Sequence, residues 1–114
     1  MATTEARHEK AARNQSLFRD INERIVELTE NGGVPKQELW ELICECADAA
    51  CVEPISLTYP EYETIRRIPT QFPIKPGHEL VDVERVVERR ERYHVVEKIG
   101  ESGRIAVSRD PRRD

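Results

Sequence analysis

The chain begins with a long stretch that favours helix: from Thr3 to Glu30 there is no Gly or Pro, and Ala, Glu, Arg and Leu abound. Phe18, Ile21, Ile25 and Leu28 recur at spacings of three, four and three, which puts them on one stripe of that helix. The first dozen residues offer only Ala6, Ala11 and Ala12, so residues 1–13 read as a frayed helical extension. Asn31-Gly32-Gly33 and then Pro35 end the helix. From Glu38 to Cys46 the period changes to two, with Trp40, Leu42, Cys44 and Cys46 alternating with Leu39, Glu41, Ile43 and Glu45, as in a strand covered on one side. After a turn at Ala47 to Ala50, Val52 to Leu57 reads as a second short strand in which Pro54 requires an edge.

Thr58-Tyr59-Pro60-Glu61 has the form of a capping box, with Leu57 and Tyr62 placed as a hydrophobic staple, so a short helix starts here and stops at Pro69. Gln71 to Ile74 is a short extended piece, and Lys75-Pro76-Gly77-His78 is a turn. Val81 to Glu88, Tyr93 to Ile99 and Arg104 to Ser108 are rich in Val, Ile and Tyr and read as a β-meander, although the charges of the first also suit a helix. The predicted class is α+β: a long N-terminal helix, a short central helix and a small, mainly antiparallel sheet. Residues 14–108 form a single domain in this reading, and 109–114 form a disordered tail with nothing to bury.

With 114 residues, 38% of them hydrophobic and only one Trp, two Phe and three Tyr, the interior is small and stands to gain from a metal or a partner. The net charge of -4 comes from acidic and basic residues mixed along the chain, which argues against nucleic-acid binding. No apolar run is long enough for a membrane span and no apolar segment follows the first Met, so a cytoplasmic protein is expected. In a reducing compartment, three cysteines leave free thiols or thiolate ligands as the choices.

The chemistry therefore concentrates at Cys44, Cys46 and Cys51. The first two leave the same face of an extended chain, and the third returns after a four-residue turn. A tetrahedral zinc needs one further donor, and His78, presented by the Pro76-Gly77 turn, suits it best; His94 in a strand and His8 in the frayed helix suit it less. Ligation would deprotonate the thiols and add binding energy to a domain short of core. The plain alternatives are buried thiols, or a thiol used in redox or nucleophilic chemistry. An iron–sulfur cluster usually takes four cysteines. The arginines of Glu88-Arg89-Arg90-Glu91-Arg92 read as a solvated hairpin connection.

The run Cys44-Glu45-Cys46-Ala47-Asp48, Cys51, Glu53, Ile55, Leu57-Thr58 and Glu61-Tyr62, with Phe72, Pro76-Gly77-His78-Glu79, Val83 to Arg89, Tyr93 and Val95 to Lys98, resembles a group of short uncharacterised bacterial proteins common in actinobacteria. The resemblance spans Asn14 to about Ile105 and implies a joint role for Cys44, Cys46, Cys51 and His78 without implying an activity. The function expected is a non-enzymatic, zinc-stabilised adaptor or regulatory domain. It would meet another protein, or its own copy, through Phe18, Ile21, Ile25 and Leu28. The rival is a small metal-dependent or thiol-redox enzyme built on the same cluster.

Overall fold

The computed structural model describes residues 4–112, and the side chain of His8 lies outside the described residues. Helix α1 (Thr4–Asn31) covers all of the predicted stretch that lies within the described residues. Its end is a Schellman motif: Gly33 donates to the Glu30 carbonyl at 3.0 Å and Val34 to the Thr29 carbonyl at 3.3 Å. Gly33 at φ 76° takes the left-handed position that a side chain would strain. Strand β1 (Trp40–Ile43) pairs antiparallel with β2 (Pro54–Leu57), from Trp40 opposite Leu57 to Ile43 opposite Pro54. Trp40 and Leu42 turn inward with Ile55 and Leu57. The first strand is shorter than its alternation suggests, because after Ile43 the chain bends away. Cys44 still donates to Glu53 at 2.8 Å, but the Glu45 amide reaches instead to the Pro73 carbonyl at 3.0 Å.

Helix α2 (Tyr59–Arg66) starts on the predicted capping box, with the Glu61 amide donating to the Thr58 hydroxyl and the Thr58 amide to the Glu61 carboxylate. Replacing Thr58 with Ala leaves that first turn without its cap, an expected loss of about 1 kcal/mol in denaturant unfolding. Partial burial pushes the Glu61 carboxyl up, but bonds from Arg92 and from Thr58 outweigh it and hold the pKa at about 2. A pKa depressed in the native state stabilises the fold above the ordinary value of 4.5 and is lost as pH falls toward 2. Wild-type stability should therefore fall more steeply across that window than the stability of Glu61→Gln, which has nothing to protonate there.

A three-stranded sheet has the order β3 (Gln71–Ile74), β5 (His94–Lys98), β4 (Glu84–Arg89), all antiparallel, with a bulge between Val86 and Glu88. The expected third strand of a meander, Arg104 to Ser108, is a correction: these residues belong to helix α3 (Gly100–Ser108), and β3 takes the place beside β5. Ile105 and Val107 favour strand, but packing overrides propensity. Ser102 ties the first turn to the carbonyls of Val83 and Ile99, and Ala106 is buried. A Cβ at Gly103 would sit 3.1 Å from the Lys98 carbonyl oxygen, so the helix lies directly against the end of β5.

The buried face of α1 also differs from the predicted stripe. Phe18 is buried and Ile25 packs against the core, but Ile21 and Leu28 are 40% and 56% exposed. The interior face is instead Ala11, Ala12, Gln15, Ser16, Arg19, Asn22 and Val26 together with Phe18. The helix is continuous through residues 4–13, with Ala11 and Ala12 inside. The expectation that the tail has nothing to bury is corrected for 109–112, while 113 and 114 lie outside the described residues. Asp110 is buried against Arg66 at 2.5 Å, and Arg112 reaches Glu23 at 2.9 Å and Glu63 at 2.6 Å. The architecture is α+β, with two small antiparallel sheets under a long helix, and no helix among the described residues is long and apolar enough to cross a membrane.

Candidate metal centre

Three loops bring the cysteines and one histidine together. Cys44 and Cys46 flank the bend where β1 stops, so their thiols leave on one side while Glu45, between them, points to the other. Asp48 then forms a tight turn, its carboxylate accepting from the Ala50 amide at 2.9 Å and its carbonyl from the Cys51 amide at 3.0 Å, which swings Cys51 back toward the first two. On the opposite side, Lys75-Pro76-Gly77-His78 closes with a 3.0 Å bond from the His78 amide to the Lys75 carbonyl. Pro76 precedes Gly77 at φ 90°, the sequence of a type II turn.

The three sulfurs and one imidazole nitrogen all lie within 4.8 Å of one another, with the cysteines buried and His78 partly so. His78 Nδ1 faces Cys44 Sγ at 3.6 Å and Cys51 Sγ at 3.7 Å. A tetrahedral ion with bonds of about 2.3 Å to sulfur and about 2.0 Å to nitrogen separates its sulfur and nitrogen ligands by about 3.5 Å. The observed separations match that edge. The Lys75 amide donates to Cys44 Sγ at 3.1 Å, the kind of outer bond that fixes a thiolate ligand and moderates its charge. Cys44, Cys46, Cys51 and His78 thus form a cluster that can hold a metal ion. His94, at the start of β5, stands outside it.

The thiols share their protons unequally. Cys46 is held down to about 5, first by its hydrogen bond with Cys44 and further by His78 and the Asp48 backbone, against the effect of burial. Cys44 is pushed up by the same bond and by burial, and Cys51 is pushed up chiefly by burial. Three sulfurs this close cannot all be anionic on their own terms; a divalent cation at their centre reverses that repulsion and deprotonates them outright. Metal binding is therefore accompanied by proton release, and affinity measured by chelator competition should rise with pH from about 6 to 8, where Cys44 and Cys51 still hold protons that the ion must displace.

Sequence reasoning brought the four residues of the cluster together but missed what stands behind them. Glu45, placed on the mixed face of a strand, is fully buried, as are Gln15, Arg19 and Asn22 of α1. The available signal was the recurrence of polar residues at spacings of four and three on a helix whose apolar residues were too few to fill that face. Of the helix residues expected to meet a partner, Phe18 is enclosed by the domain itself, whereas Ile21 and Leu28, with Leu17, remain on the outer side. Comparison with known proteins gives no match: no family model, no curated protein and no solved structure matches this chain.

Proposed function

We propose that the cluster is a structural zinc site and that the chain is a zinc-stabilised adaptor or regulatory domain rather than an enzyme. The observation that carries this is the convergence of Cys44 Sγ, Cys46 Sγ, Cys51 Sγ and a His78 nitrogen within 4.8 Å. Three thiolates and an imidazole are a donor set that suits zinc over hard cations such as magnesium or calcium. Four protein ligands complete a tetrahedron, and a catalytic zinc keeps one position open for water or substrate. Enclosed sulfurs also suit a structural role, because reactive cysteines sit where reagents reach them. The gain from a metal is largest in a domain whose apolar interior is small and whose long helix is seated largely by polar side chains.

Metal analysis of protein purified without chelator is expected to find one zinc per chain, and alanine at Cys44, Cys46, Cys51 or His78 is expected to lower it sharply. A wild type that is folded and free of metal would contradict the proposal. The adaptor role is supported by Leu17, Ile21 and Leu28, which are 57%, 40% and 56% exposed on the outer face of α1. If that face serves another protein or a second copy, Ile21→Glu with Leu28→Glu should change stability by no more than about 0.5 kcal/mol per site, as exposed substitutions do. A larger loss in thermal unfolding would show that the face is needed by the fold instead.

A further inference from the structure

Asn22 meets the chain at the point where β1 ends. Its side-chain amide donates to the Ile43 carbonyl at 2.8 Å and accepts from the Ile43 amide at 2.9 Å, so it pairs with that peptide as a neighbouring strand would. The same nitrogen gives a further bond to the Glu45 carboxylate at 2.7 Å, which uses both donors and the acceptor of the amide. Tyr62 adds its hydroxyl to the same carboxylate oxygen at 3.2 Å. Arg19 stands 3.8 Å from the other oxygen, and Gln15 donates to the Glu45 carbonyl at 3.1 Å. Gln15, Arg19, Asn22 and Glu45 are each 0% exposed.

Burying four polar side chains is expensive unless each is satisfied, and an apolar stripe would seat a helix more simply. Asn22 is directed at both residues that precede and separate the first ligands, Ile43 and Glu45, and Gln15 adds a bond to Glu45, whereas Arg19 donates to the Pro69 and Gln71 carbonyls. In an extended segment alternate side chains point to opposite sides, so a carboxylate drawn into α1 turns the thiols of Cys44 and Cys46 away from it, toward Cys51 and His78. Resting on the metal reading of the cluster, we propose that Asn22 and Glu45 are positioning residues for the zinc centre: in the folded chain α1 fixes the geometry of the Cys44-Glu45-Cys46 segment. Coupling of this kind is reciprocal, so the bound ion in turn holds α1 in its seat.

The test measures zinc affinity of the full chain by competition with a chromogenic chelator, with cobalt(II) absorption as a record of the ligand geometry. Asn22→Leu and Glu45→Leu are expected to weaken zinc about 10–100-fold, the range for outer residues that orient metal ligands, and to shift the cobalt bands. Glu45→Gln keeps an acceptor for Asn22 but removes the charge beside Arg19, so it should keep the wild-type cobalt bands and lose less affinity than Glu45→Leu. Val26→Ala, which weakens the packing of the same helix away from this segment, should leave the cobalt spectrum unchanged and cost less affinity than either leucine variant. If Asn22→Leu does not fold, Asn22→Ser, too short to span Ile43 and Glu45 together, takes its place with at least a tenfold loss expected. Wild-type affinity in the Asn22 and Glu45→Leu variants, or an equal loss in Val26→Ala, overturns the positioning role while leaving the zinc site standing. Absence of zinc binding by the wild type itself overturns both.

Discussion

Chelating the metal, or replacing Cys44 with Ser, is expected to unfold the domain at 25 °C. A structural zinc contributes an apparent binding free energy of about 10–16 kcal/mol at neutral pH. A domain of this size is stable by only about 5–15 kcal/mol in total. Losing most of the first quantity consumes the second. The segments that the ion would join are otherwise thinly connected: residues 44–51 carry no regular secondary structure, and His78 lies in a turn between β3 and β4. Trp40, the sole tryptophan, is buried and bonded to the Pro35 carbonyl at 3.1 Å, so its fluorescence reports the collapse of the first sheet. A red shift of that emission on adding a strong chelator, reversed by excess zinc, is the expected result. An unchanged spectrum and unfolding midpoint in metal-free protein would show that the cluster adds nothing to the fold.

The second large effect lies at the opposite end of the chain. Arg66 is fully buried in α2 and held between Asp110 at 2.5 Å and Glu23 at 2.6 Å, with Arg112 bridging onward from Glu23 to Glu63. Asp110→Ala removes the most enclosed acidic partner and leaves a guanidinium in the interior with Glu23 alone. Breaking a buried pair from one side costs about 3–5 kcal/mol, and the surviving contact with Glu23 should hold the loss near the lower figure. Arg66→Met together with Asp110→Ala removes both charges and should recover part of that loss, because a buried pair is often no better than a well-packed apolar contact. Urea unfolding of the single and double variants checks this. A single variant within about 0.5 kcal/mol of wild type would mean that residues 109–112 are not anchored as described.

Local signals in the sequence were reliable wherever the backbone itself decides. The Asn-Gly-Gly end of α1, the capping box at Thr58 and the Pro-Gly turn before His78 each depend on a few neighbouring residues, and each is found as read. The density of thiols was likewise enough to single out Cys44, Cys46 and Cys51, and the turn chemistry enough to nominate His78. What escaped depends on contacts between distant segments. Arg104 to Ser108 has the residues of a strand, yet the place beside β5 is filled by β3 and the segment coils against the end of the sheet. The apolar stripe of α1 looked sufficient by its period, but the helix is rotated so that Gln15, Arg19 and Asn22 face inward, because their partners lie there: Glu45 and Glu84 for Gln15, the carbonyls of Pro69 and Gln71 for Arg19, Ile43 and Glu45 for Asn22. The end of the chain read as solvated because its acids and arginines were counted as charges rather than as partners for Arg66 and Glu23.

X-ray absorption at the zinc edge of the purified protein tests the central claim most directly, because it counts donors around the ion. The account predicts three sulfurs at about 2.3 Å and one nitrogen at about 2.0 Å. A shell of oxygens and nitrogens, or one with fewer than three sulfurs, would contradict it.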